Sequence, residues 1–170
     1  ALPIDSAGLY VPRGRGSFPS MLYMLAVPAQ IAGVPSIQIV TPPNPDGSVD
    51  AACLYAARQI GVEKVFRVGG AHAIAALAYG TQSFEPVLKV VGPGSSYVTA
   101  AKRLLSSRID AGLPAGPSES IIIADEHADA WNCALDLMVE AEHGSDSCAL
   151  LLTDSPQLAE EVKKNVEKIG

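Results

Sequence analysis

Glu140 and His143 stand three positions apart in a stretch with helical spacing, so both side chains project from one face of a helix read over 129–143. A carboxylate and an imidazole so placed can share one metal ion, zinc in particular. The pair also suits a metal-free helix end, where an imidazolium gains from the helix dipole. Two ligands leave a tetrahedral site half filled, and the spacing of other residues shows no second cluster. Two glycine-rich stretches offer backbone amides instead. Arg13-Gly14-Arg15-Gly16 fits a dinucleotide fingerprint poorly: Pro19 stands at the third glycine's place, the preceding residues 9–11 are barely a strand, and no acidic residue follows about 20 positions on. Gly92-Pro93-Gly94-Ser95-Ser96 is better placed, between an apolar strand and a helix. Such a loop can present amides to a phosphate or a ribose, or simply form a tight turn. His72, in Gly69-Gly70-Ala71-His72, opens a helix after a strand, where parallel sheets bind ligands, although a capping or merely exposed histidine fits equally. Ser118, in Gly116-Pro117-Ser118-Glu119, lacks the partner histidine and strand-to-helix elbow of a nucleophile and reads as a turn serine.

These residues need a scaffold, and the sequence supplies one by alternation. Short β-branched runs bounded by Gly or Pro are each followed by a longer Ala/Leu-rich segment with helical spacing, the pattern of an α/β fold with a largely parallel sheet. Strands are predicted over 36–40, 64–68, 89–91, 120–124 and 148–153. Most are continuous apolar runs, as for strands covered by helices on both faces. Helices are predicted over 20–32, 51–60, 71–79, 97–106, 129–143 and 157–168. Residues 111–117, AGLPAGP, interrupt the alternation and mark a boundary between a domain of 1–116 and part of a second α/β domain over 117–170.

Composition narrows the function classes. A chain of 170 residues with 48% hydrophobic content can bury a core. A net charge of −6 and a pI near 4.9, with no basic run, argue against nucleic acid and anionic membranes as partners. No membrane span or basic leader is visible, and a soluble cytoplasmic protein is expected. Cys53, Cys133 and Cys148 are widely spaced and sit in apolar patterns, as reduced core residues would.

Seven blocks, in order, together resemble the histidinol dehydrogenase family. They are Ser6-Ala7-Gly8-Leu9-Tyr10-Val11-Pro12, Thr41-Pro42-Pro43, Arg67-Val68-Gly69-Gly70-Ala71, Ile74-Ala75-Ala76-Leu77-Ala78-Tyr79-Gly80-Thr81, Val91-Gly92-Pro93-Gly94, Pro114-Ala115-Gly116-Pro117-Ser118-Glu119 and Ala141-Glu142-His143-Gly144. The resemblance implies a Rossmann-like parallel sheet flanked by helices in 1–116, and an enzyme of histidine biosynthesis that oxidises a primary alcohol to a carboxylate through an aldehyde, using NAD and a zinc ion. Residue by residue, Tyr10, Pro12, His72, Gly92, Pro93, Gly94 and Ser95, with Tyr97 beside them, match NAD contacts. Ser118 matches a substrate contact. Glu140 and His143 fall at zinc-ligand positions.

The departures bear on the substrate. Glu140 stands where the family usually has Gln, His72 where it has Gln, Ser95 where it has Asn, and Arg13 where it has Gly. The Arg-containing stretch with Glu140-Ala141-Glu142-His143 resembles the branch that oxidises sulfopropanediol to sulfolactate, so L-histidinol and sulfopropanediol both stand as substrates. In the family the catalytic Glu-His pair, the remaining zinc ligands and a tail used in the homodimer lie C-terminal to the matched region. The resemblance thus implies no catalytic residue in this chain and no activity for it alone. The other reading is a non-catalytic nucleotide-binding or assembly module of the same fold.

Overall fold

The computed structural model describes residues 2–13, 16–113, 119–142 and 147–170. The chain divides into two compact units, Ala1–Gly116 and Pro117–Gly170.

The first unit runs β1 (Ser6–Tyr10), α1 (Pro19–Ile31), β2 (Ser36–Thr41), α2 (Ala51–Ile60), β3 (Lys64–Arg67), α3 (Gly70–Tyr79), β4 (Lys89–Val91) and α4 (Ser96–Leu104). Its four strands are parallel in the order β3-β2-β1-β4. The chain therefore lays β2 and β3 outward on one side of β1, then crosses to place β4 on the other. Right-handed crossovers send helices to opposite faces when the winding direction reverses, and the side chains sort accordingly. Leu9, Val11 and Ile39 pack with Leu22 and Ala26 of α1 and with Cys53, Ala56 and Ile60 of α2. Tyr10, Val40 and Val90 pack with Ile74 and Leu77 of α3 and Val98 of α4.

The second unit consists of β5 (Glu119–Ile123), α5 (Ala130–Ala141), β6 (Cys148–Leu152) and α6 (Pro156–Ile169), with β5 and β6 parallel. Ile122 and Leu151 face a core built on Cys133, Ala134, Leu158 and Val162. Ile121, Ile123, Leu150 and Leu152 on the opposite face are exposed. Here the expectation of strands covered on both faces fails: burial alternates along both strands, as in a sheet with helices on one side only.

Three other expectations change. Residues 9–11, read as barely a strand, overlap β1, which runs over Ser6–Tyr10 between β2 and β4. α5 stops at Ala141 with Glu142 as its C-cap, short of the expected 143. Cys53 and Cys133 are buried, but Cys148 is exposed; all three are free thiols. Among the described residues no helix is long and apolar enough to cross a membrane.

Caps explain several helix starts. Asp50 precedes α2 and accepts from the Ala52 and Cys53 amides. The Ser17 hydroxyl first, then the Cys53 amide, holds the Asp50 carboxyl below the usual carboxylate range. A carboxyl with a depressed folded-state pKa contributes stability above its unfolded pKa, and that contribution is lost as pH falls through the folded value. Asp50→Asn keeps a good cap without the titration. Its stability should therefore fall less steeply than that of the parent as pH drops from about 5 toward 2, measured by urea denaturation at each pH. Parallel slopes would mean that Asp50 carries no share of the acid sensitivity.

Candidate functional site

In a parallel sheet with helices on both faces, the strand order opens a crevice where the winding reverses, at the carboxyl ends of the two strands concerned. Here those strands are β1 and β4. The residues leaving β1 are Val11 and Pro12, and those leaving β4 are Gly92, Pro93 and Gly94. Pro42 follows β2, and Gly69, Gly70 and His72 follow β3. Of the expected dinucleotide contacts in this unit, Tyr10 is the last residue of β1, and the others follow the carboxyl ends of β1, β3 and β4.

The turn after β4 is built closely. Gly92 has φ +114°, and a Cβ on it would lie 2.0 Å from the Tyr10 carbonyl oxygen, so the two strand ends meet backbone to backbone. Only glycine fits that conformation and that gap. A Cβ on Gly94 would meet Val98 Cγ1 at 2.6 Å, which keeps the turn tight against the first turn of α4. Pro93 has no N–H and fixes its own φ. Among the described residues, the Gly94 and Ser95 amides donate no hydrogen bond. Ser95 is the N-cap of α4 but gives no side-chain cap bond, and Gly69 before α3 has no side chain to give one. The capped α2, α5 and α6 differ: Asp50, Asp129 and Ser155 occupy their amides. Amides at an open helix start, with the positive end of the helix dipole, favour a phosphate or another anion.

Tyr10 supports this end of the sheet from inside. It is 4% exposed, and its hydroxyl accepts from the Gly70 amide at 3.0 Å, bracing the start of α3 against β1. Gly69 lets Pro42 close in: a Cβ there would stand 2.3 Å from the proline ring. His72 and Tyr97 are exposed on the first turns of α3 and α4.

Lys102 was not anticipated. It is 2% exposed, and its ammonium donates to the Gly92 carbonyl at 2.5 Å. Burial pushes its pKa below the ordinary lysine range. A signal existed, because position 102 lies four residues after Val98 on the buried face of α4.

Arg13, which stands where the family has Gly, is exposed beside the loop after β2. There the Ser48 hydroxyl and amide, and more weakly the Arg13 guanidinium, hold the Asp46 carboxyl below its usual range. A cleft of about 270 Å³ lies at the opposite end of the sheet, lined by Gln30, Val34, Pro35, Ser36, Gly61 and Glu63. It sits at the amino ends of β2 and β3, away from the glycine turns.

Glu140 is half buried on the last turn of α5. His143, Ser118, Gly14 and Arg15 lie outside the described residues. Among the described residues no group of three or more His, Cys, Asp or Glu side chains could hold a metal ion.

Comparison with known proteins supplies the family. The family described as histidinol dehydrogenase matches residues 1–169. A histidinol dehydrogenase homolog of Rhizobium meliloti is 62% identical over 159 residues, covering 94% of this chain and 35% of its own length. A histidinol dehydrogenase of Synechocystis is 58% identical over 158 residues, covering 93% of this chain and 36% of its own. The crystal structure of histidinol dehydrogenase from Elizabethkingia anophelis superposes with a TM-score of 0.89 at 40% identity, covering 99% of this chain and 39% of that one. The chain thus spans a little over a third of the length of these relatives. With a family match over nearly every residue and the same parallel sheet in a solved relative, this chain belongs to the histidinol dehydrogenase family.

Proposed function

We propose that this chain is the dinucleotide-holding portion of an NAD-dependent alcohol dehydrogenase of histidinol dehydrogenase type. The observation that carries the reading is the Gly92-Pro93-Gly94 turn: it follows β4 at the point where the winding reverses, and Gly92 lies too close to the Tyr10 carbonyl for any side chain. Gly94 and Ser95 amides would hold the diphosphate, the start of α4 would add its dipole, and His72 and Tyr97 would flank the nucleotide. Tyr10 acts by bracing the start of α3 through its hydroxyl. NAD, when bound, supplies a hydride acceptor for oxidation of an alcohol carbon.

Zinc fits less well. Glu140 and His143 can supply two ligands, whereas tetrahedral zinc takes four, and the described residues offer no cluster to complete them. No step through zinc is derived for this chain. L-histidinol and sulfopropanediol are the two alcohols to be tested with a full-length enzyme of this type. Glu140, in place of a neutral amide, would add negative charge at the metal.

Calorimetric titration of the 170-residue chain with NAD, and separately with zinc, tests the reading. Saturable NAD binding is expected, with no tight zinc binding and no turnover of either alcohol. Failure to bind NAD would remove the dinucleotide role, and turnover by this chain alone would show that it holds catalytic groups assigned elsewhere.

A further inference from the structure

Lys102 is a buried cation with no place in the proposed chemistry. At 2% exposure its ammonium is kept from water at a cost that an aliphatic side chain would avoid. The position itself asks for an aliphatic, since α4 buries Val98, Ala101 and Lys102 on one face. What the lysine reaches is the Gly92 carbonyl. Gly92 is thereby held from two directions, its Cα against the Tyr10 carbonyl and its own carbonyl on the Lys102 ammonium.

The peptide planes that follow depend on that hold. Pro93 fixes its own φ, and Gly94 is pressed against Val98. With the Gly92 carbonyl drawn inward to Lys102, little freedom is left to the Gly94 and Ser95 amides, which have no partner among the described residues. Without the lysine, the Gly92–Pro93 peptide could rotate and its carbonyl could compete for the anion's place.

We propose that Lys102 is a positioning residue for the nucleotide loop: by holding the Gly92 carbonyl it sets the Gly94 and Ser95 amides for a diphosphate, without touching the ligand itself. This rests on the dinucleotide reading above. A buried cation near the turn also adds favourable potential for an anion, and a low-dielectric surrounding screens it little.

The test uses the 170-residue chain, its Lys102→Met variant and its Lys102→Arg variant, well below their unfolding midpoints. Order parameters of the Gly94 and Ser95 amides from nitrogen-15 relaxation read the loop directly and need no ligand. Titration with NAD, with ADP and with adenosine reads binding. Lys102→Met should lower those order parameters and weaken NAD and ADP by about tenfold, the usual scale for a hydrogen bond to a charged group. Adenosine, which has no phosphate, should change by less than about twofold by the same reasoning. Lys102→Arg should restore most of the NAD affinity. A lower unfolding midpoint with unchanged order parameters and unchanged NAD affinity would overturn the proposal, because a merely structural lysine would behave so. A parent chain that binds no NAD would overturn the dinucleotide reading, and the order parameters would still decide whether Lys102 sets the loop. If Lys102→Met does not fold, Lys102→Gln, which lacks the charge, takes its place with the same outcomes.

Discussion

Gly92→Ala should lower the stability of the first unit by roughly 3 kcal/mol or more, adding about 1–3 kcal/mol of backbone strain to a similar cost of overpacking. The strain arises because φ at Gly92 is +114°, which L residues rarely adopt. The overpacking arises because the new methyl would meet backbone: the Tyr10 carbonyl oxygen at 2.0 Å and its carbon at 2.9 Å. A side-chain neighbour could rotate away, but Tyr10 ends β1, which is paired with β2 on one side and β4 on the other. For a unit of this size such a loss lowers the unfolding midpoint by more than about 10 °C, and NAD binding should disappear with it. Gly47→Ala supplies the control. It also has positive φ, +80°, but nothing stands within 4 Å of its would-be Cβ, so only the conformational cost of about 1 kcal/mol applies. Thermal denaturation by circular dichroism compares the two. Equal losses would mean that the turn after β4 is not pressed against β1, and the proposed dinucleotide site would lose its main support.

The parts of the fold that were legible were those whose signal is local. α2 was expected at 51–60 and is found at Ala51–Ile60, because an apolar face runs between an Asp cap and a Gly in left-handed conformation. β4, only three residues long, was placed correctly because Gly and Pro bound it. β1 was misjudged for a physical reason: Ser6, Ala7 and Gly8 have low strand propensity, and the strand forms through pairing on both sides and burial of Leu9, Tyr10 and Val11. The site divided in the same way. That glycines follow β4 could be read directly, but that Gly92 touches Tyr10 is a contact across 82 positions, invisible to spacing. Lys102 was overlooked because lysine is ordinarily a surface residue, and only its position four residues after Val98 pointed inward. The exposed apolar face of β5 and β6 was equally hidden, since Ile121-Ile122-Ile123 and Leu150-Leu151-Leu152 look the same whether covered on one side or two.

Gly8 and Leu77 offer a sharper test of β1, because each explains the other. Leu77 of α3 is fully buried, and its Cδ1 lies 2.8 Å from where a Cβ on Gly8 would stand. The glycine, poor for a strand, is what lets the helix sit so close to the sheet. Leu77→Ala removes three buried carbons and should cost about 3–4 kcal/mol, within the usual range for a core leucine. Gly8→Ala should cost about 1–2 kcal/mol: the leucine methyls must shift inside a packed core, and the lower chain entropy of the unfolded state offsets only part of that. Combined, the two changes should cost less than their sum by about 1–2 kcal/mol, since the new methyl enters space that the leucine has vacated. A double-mutant cycle by urea denaturation measures this directly. Strict additivity would separate Gly8 from Leu77 and dislodge β1 from beneath α3; a positive coupling would show that a strand with little propensity of its own is held by the helix that its glycine admits.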